Sequence, residues 1–143
     1  MRQLRFDRRA LVGMVTATLM TSAVLLVVAS PADASIPQCT RSANVRDGFG
    51  DLAIMPVSSG GSIDCWLAQG DVSSAVRAMQ SALNNCEAIP VSADGNYGPK
   101  TKQAVANFQS IINIEGGNLK VDGVYGPQTR SYMNFVLVGG GCG

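Results

Sequence analysis

The chain has 143 residues, with eleven basic side chains, ten acidic side chains and no histidine. Four of the basic and two of the acidic residues precede Ser35, so seven basic and eight acidic residues remain from there onward, a net charge of −1. This near-neutral body lacks the clustered cations that bind nucleic acid or an anionic membrane surface, which argues against both partners. The length is that of one domain.

The N-terminus has the pattern of an export signal. Residues 1–9 carry four arginines, residues 10–29 contain no charge, and Ala32-Asp33-Ala34 is a small-x-small cleavage pattern. We therefore predict a secretory signal peptide over residues 1–34, and a mature protein that is extracellular or wall-associated and has no membrane partner. The alternative is a retained anchor, because about twenty uncharged residues can span a bilayer.

Residues 35–65 are predicted to form an N-terminal arm. The apolar run from Leu52 to Val57 lies between glycine-rich turns, which indicates one or two short strands or an extended segment. Two of the four cysteines of the predicted mature chain fall in this stretch, so we expect the arm to be tied down. The four cysteines are Cys39, Cys65, Cys86 and Cys142.

An even number of cysteines in a short exported chain predicts two disulfides. Three pairings are possible. We favour Cys65 with Cys86 and Cys39 with Cys142, because the second bond would tie the glycine-rich tail, residues 139–143, to the arm. The spacing provides no C-x-x-C pair and the chain has no histidine, so we predict neither a metal site nor a cofactor.

An internal repeat organises the rest of the chain. Residues 75–84 match residues 104–113 at five of ten positions, and residues 94–101 match residues 122–129 at six of eight. Two copies of such a unit favour one pseudo-symmetric domain over a solenoid. The repeat therefore predicts two equivalent loops, each following a helix.

Apolar residues recur at helical spacing within each copy, and Pro99 and Pro127 suit the first position of a helix. These signals predict helices over about 72–85, 99–113 and 127–137. The predicted fold is mainly α: a small three-helix pseudo-symmetric bundle, cross-linked by disulfides, with an extended or short-strand arm at its N-terminus.

The Asp-Gly pair in each loop is a turn signal. Tyr97 and Tyr125, which follow it, either fill the core or present their rings to a ligand. A near-neutral surface would bind an uncharged ligand through aromatic faces and through amide or hydroxyl groups. The hypothesis for ligand-binding residues is Asn96, Tyr97, Asn107, Gln109, Tyr125 and Gln128. The alternative hypothesis is that Gln80 and Gln109 are helix residues whose side chains bond the backbone of a neighbouring loop.

Taken in order, these motifs resemble the peptidoglycan-binding domain that accompanies many cell-wall hydrolases. The resemblance covers residues 66–138, and the segments around Cys65 and Cys86 are similar to a version common in secreted actinomycete proteins. It implies a three-helix bundle that holds cell-wall glycan or its stem peptide. The residues that carry it are Leu67, Gly70, Val76, Met79, Gln80, Leu83, Asp94, Gly95, Tyr97, Gly98, Thr101, Ala104, Val105, Phe108, Gln109, Asp122, Gly123, Tyr125, Gly126 and Thr129.

The composition argues against an enzyme. Hydrolysis of glycan needs a pair of carboxylates at a defined separation, and cleavage of stem peptides usually needs zinc or a Cys–His pair. The acidic residues form no evident pair, and histidine is absent. We predict a secreted non-catalytic module that binds peptidoglycan. The alternative is a secreted interaction or inhibitor protein whose partner is a cell-wall hydrolase.

Overall fold

A computed structural model describes residues 35–143. The predicted signal peptide, residues 1–34, lies outside the described residues. Within residues 35–143, no helix is long and apolar enough to cross a membrane. The elements in chain order are β1 (Cys39–Arg46), β2 (Leu52–Ser58), α1 (Ser74–Asn85), α2 (Pro99–Ile114) and α3 (Pro127–Arg130).

The N-terminal arm forms an antiparallel hairpin. β1 and β2 pair from Cys39 opposite Ser58 to Arg46 opposite Leu52. The turn between the strands is closed by Asp47, whose carboxylate accepts hydrogen bonds from two backbone N–H groups of the turn at 2.9 Å. The strands expected in this stretch are therefore present, and they pack beside α1.

The helices begin as local signals dictate. The hydroxyl of Ser73 accepts a hydrogen bond from the N–H of Val76 at 3.2 Å and so caps α1. α2 and α3 each open with a proline, Pro99 and Pro127, whose missing N–H needs no partner in the first turn. α1 and α2 lie close to their predicted ranges.

The predicted three-helix bundle is wrong. The third helix was expected to extend over 127–137 but has a single turn, and a two-stranded antiparallel sheet accompanies the helices. The chain after α3 is extended because its backbone pairs elsewhere: Ile54 donates to Val136 at 2.9 Å, and Val138 donates to Leu52 at 2.8 Å. Apolar residues here also suit an extended strand. The helical periodicity was therefore overridden by pairing with β2.

The predicted disulfide pairing is also wrong. The bonds join Cys39 to Cys65 and Cys86 to Cys142. Cys39 donates its N–H to the carbonyl of Trp66 at 2.9 Å, which places the start of β1 beside the residue that follows Cys65. The tail is accordingly tied to the end of α1 and not to the arm.

The core is built from residues of the hairpin, α1, α2, the two loops and the segment after α3. It excludes water from the rings and aliphatic chains of both copies of the repeat, so the copies fold as one unit. The largest fully buried apolar side chains are Tyr97, Tyr125, Phe108, Phe135, Leu67, Met79, Leu83, Val57, Val76 and Val105.

Candidate functional site

A buried glutamine of α1 holds the first loop, residues 94–98. The amide nitrogen of Gln80 donates to the Asp94 carboxylate, the Asn96 carbonyl and the Thr101 hydroxyl, each at 3.0 Å. Its amide oxygen accepts the N–H of Gly95 at 2.8 Å. One side chain therefore fixes the loop to the helix, which confirms that Gln80 bonds a neighbouring loop.

Gln109 of α2 holds the second loop, residues 122–126, in the same way. Its amide nitrogen donates to the Asp122 carboxylate at 3.2 Å, the Val124 carbonyl at 3.0 Å and the Thr129 hydroxyl at 3.2 Å. Its oxygen accepts the N–H of Gly123 at 2.9 Å. The sequence repeat is thus a repeat of a glutamine clamp and the loop that it orients.

The loop aspartates are held in the ionised form. The N–H of Asn96 and the amide of Gln80 lower the pKa of Asp94. For Asp122, partial burial raises the pKa, but the N–H of Val124 and the other hydrogen bonds outweigh burial, so the pKa is lowered overall. A general acid needs a raised pKa, so these two carboxylates are poorly suited to proton donation near neutral pH.

Three of the six hypothesised ligand-binding residues lie in the core. Tyr97 and Tyr125 are 0% exposed and Gln109 is 1% exposed. The hydroxyl of Tyr97 donates to the Gly123 carbonyl at 2.9 Å, so this ring links the two loops. Tyr97 and Tyr125 therefore support the loops from within the core, whereas Gln109, although almost fully buried, also lines a groove beside the second loop.

The two tyrosines provide a matched pair of substitutions. Tyr97→Phe is expected to lower the free energy of unfolding by about 1 kcal/mol, because it removes the bond to Gly123 and leaves a buried carbonyl unpaired. Tyr125→Phe should be neutral or stabilising, since the Tyr125 hydroxyl is buried without a hydrogen-bond partner. Urea denaturation measures both, and equal losses would contradict the assignment.

Gly123 is the position where the second loop needs a glycine. Its φ is +67°, and a Cβ there would lie 2.7 Å from the carbonyl oxygen of Lys102. We expect Gly123→Ala to cost about 2 kcal/mol, since both the backbone conformation and the contact oppose a side chain. Gly126→Ala is the control, because Gly126 has a negative φ and open space around it. Thermal unfolding of the two variants separates them, and a comparable loss in both would argue against this account.

The other three hypothesised residues are exposed, and the structure does not bring them together. Asn96 lies at the rim of the first loop and Gln128 at the rim of the second. Asn107 lies on α2, where its side chain accepts a hydrogen bond from Gln103 at 3.0 Å. Asn96 and Gln128 each line a groove, and Asn107 lines neither.

The first groove is an open cavity of about 780 Å³ beside the first loop. Its floor and walls combine two prolines and a valine with amide, hydroxyl and charged groups. Lys100, at the start of α2, forms no salt bridge within residues 35–143. The lining residues are Asn84, Pro90, Val91, Ser92, Asp94, Asn96, Gly98, Pro99, Lys100 and Thr101.

The second groove occupies the equivalent place beside the second loop but measures only about 290 Å³. The N-terminal arm contributes Ile36 to its lining. Its lysine, Lys120, is paired with the Asp122 carboxylate at 3.5 Å. Of the two copies, the first is therefore the open one and the better candidate for a binding site.

The sequence analysis did not predict most of the residues that line the first groove, notably Lys100 and Val91. It also did not predict that Ile36 of the arm lines the second groove. A signal for Lys100 was available. Within the repeated loop segment, only two positions differ between the copies, and they are Asn96 and Lys100. The structure places both on the open groove.

Comparison with known proteins finds one family model that matches part of this chain. Residues 72–133 match the model described as a putative peptidoglycan binding domain. The match includes all three helices and both loops and covers less than half of the chain. No curated protein matches the chain.

A solved structure with similarity to this chain provides a further comparison. It is a crystal structure of a peptidoglycan-binding protein from Clostridioides difficile in complex with glutamine hydroxamate, with 25% sequence identity and a TM-score of 0.47. The alignment covers 64% of this chain and 55% of that protein. This chain thus matches little more than half the length of that relative.

Proposed function

We propose that this protein is a secreted, non-catalytic module that binds bacterial cell-wall peptidoglycan through the first groove. The observation that carries the proposal is the family match over residues 72–133, which contains Asn96 and Lys100. The proposed organisation is a signal peptide (1–34), an arm (35–65), the wall-binding domain (66–138) and a tail (139–143).

The chemistry of the groove supports binding. Its lining is mixed polar and apolar, its loop is clamped by Gln80, and the exposed side chains of Asn96 and Lys100 are among the polar groups that can meet a ligand. A rigid site loses little conformational entropy on binding. The lowered pKa values of Asp94 and Asp122 support a role without proton transfer.

The experiment is co-sedimentation of the purified protein with insoluble peptidoglycan sacculi. We expect retention by the parent protein and weaker retention of the Asn96→Ala and Lys100→Gln variants, because each removes a polar contact in the groove. Lys102→Gln is the control: it removes the same charge from an exposed lysine two residues along α2 that does not line the groove.

Failure of the parent protein to sediment with sacculi would contradict the proposal and leave a separately encoded hydrolase as the alternative partner. Release of soluble fragments from the sacculi would contradict the non-catalytic assignment. Retention unchanged in the Asn96 and Lys100 variants would move the site away from the first groove.

A further inference from the structure

The two grooves are copies of one site. Eight of the ten residues that line the first groove have a counterpart 28 positions later that lines the second. The shared positions run from Val91 and its counterpart Leu119 to Thr101 and its counterpart Thr129. What lies in one groove is therefore informative about what the other can hold.

The second groove is lined in part by the N-terminal arm of this chain. Ile36 contributes to its lining and is half-exposed there. The segment that carries it is fixed in an extended form: Pro37 accepts the N–H of Trp66 at 3.0 Å, and the disulfide from Cys39 to Cys65 follows directly. An extended backbone with an aliphatic side chain thus fits this kind of groove.

We propose that the first groove binds the peptide part of the wall polymer, as an extended segment with a short aliphatic side chain next to a carboxylate, and does not bind the glycan. This inference rests on the proposed function. The arm in the second groove serves as an internal stand-in for such a peptide. Pro90 and Val91 supply the apolar surface that an aliphatic side chain contacts in the first groove.

We infer a carboxylate in the ligand from the residues that differ between the two grooves. Lys100 stands where the second groove has Gln128, and Lys100 has no ion-pair partner within residues 35–143. Ser92 stands where the second groove has Lys120. The carboxylate of Asp94, which also lines the first groove, is held by the amide of Gln80 and the N–H of Asn96. Lys100 is therefore the charged group of this groove that remains available, and an acidic peptide would neutralise it.

The lining also disfavours sugar. Rings of carbohydrates commonly bind against aromatic faces, which bury the apolar face of the ring. None of the ten residues that line the first groove is aromatic, and both loop tyrosines are buried. Amide, hydroxyl and lysine groups around an apolar floor suit a peptide backbone and its carboxylate better.

The test is an NMR titration of the ¹⁵N-labelled protein with three soluble probes: chitotetraose and two peptides with amidated C-termini, acetyl-Ala-Glu and acetyl-Ala-Gln, in which only the glutamate side chain carries a carboxylate. We expect acetyl-Ala-Glu to shift the amide signals of Gly95, Asn96 and Lys100. Binding of acetyl-Ala-Gln should be about fivefold weaker, since an exposed or partly buried ion pair contributes on the order of 1 kcal/mol. Chitotetraose should leave these signals unchanged.

Two lysine variants test whether Lys100 forms the ion pair with the peptide. Lys100→Gln should weaken binding of acetyl-Ala-Glu about fivefold and leave binding of acetyl-Ala-Gln unchanged, while Lys102→Gln should alter neither. Shifts at the first loop with chitotetraose but not with the peptides would overturn the inference, as would the absence of shifts with all three probes. If sacculi still retain the protein in either case, the proposed function stands and only the peptide assignment is lost.

Discussion

Gln80→Leu is expected to lower the free energy of unfolding by about 3 kcal/mol, measured by urea denaturation. The substitution keeps a side chain of similar size but removes all four hydrogen bonds of a residue that is 0% exposed. Each such bond contributes on the order of 1 kcal/mol, and the buried N–H of Gly95 would be left without its acceptor. The first loop should lose its ordered amide signals in the same variant.

The control is Gln103→Leu on α2. Gln103 is exposed, and its side-chain amide bonds only the side chain of Asn107. Its replacement should change the stability by less than about 0.5 kcal/mol. Comparable losses of stability in the two variants would contradict the view that the buried hydrogen bonds of Gln80 stabilise the protein.

Removal of the bond between Cys86 and Cys142, by replacing both cysteines with serine, is the second large effect. The bond closes a loop with a sequence separation of 56 residues. Loss of this restraint on the unfolded chain should lower the free energy of unfolding by about 4 kcal/mol in the entropy model. Chemical denaturation under non-reducing conditions measures it.

The matched comparison is the Cys39→Ser, Cys65→Ser variant, in which the lost bond spans 26 residues and the expected loss is about 3.5 kcal/mol. Hydrogen exchange separates the two variants further. Only loss of the bond to Cys142 should expose the amides of Leu137 and Val138, which pair with the tail and with β2. Protection there in the absence of Cys142, or a stability within 1 kcal/mol of the parent, would contradict this role.

Local sequence signals predicted local structure well. The repeat, the apolar periodicity and the prolines at Pro99 and Pro127 located α1, α2 and the start of α3, because each signal acts within a few residues of its own helix. The clamp by Gln80 and Gln109 was one of two open hypotheses. The structure confirmed it because both side chains meet the loop that follows them.

These local signals could not predict contacts between residues that are far apart in the sequence. The segment after α3 has the apolar spacing of a helix, yet Val136 and Val138 pair with β2, which lies far earlier in the chain. The disulfide pairing was mispredicted for the same reason, since it depends on the approach of Cys39 to Cys65 beside Trp66. Likewise, only the tertiary structure placed Tyr97 and Tyr125 in the core, where they support the loops.

By itself, the sequence determined the family resemblance, the duplicated loops, the two long helices and the presence of disulfides in this protein. These features depend on residue type and spacing along the chain. Only the tertiary structure decided which groove is open, because that depends on where the arm carries Ile36 and on Lys100 having no ion-pair partner within the described residues. Packing of the arm against the second copy made two equivalent sites unequal.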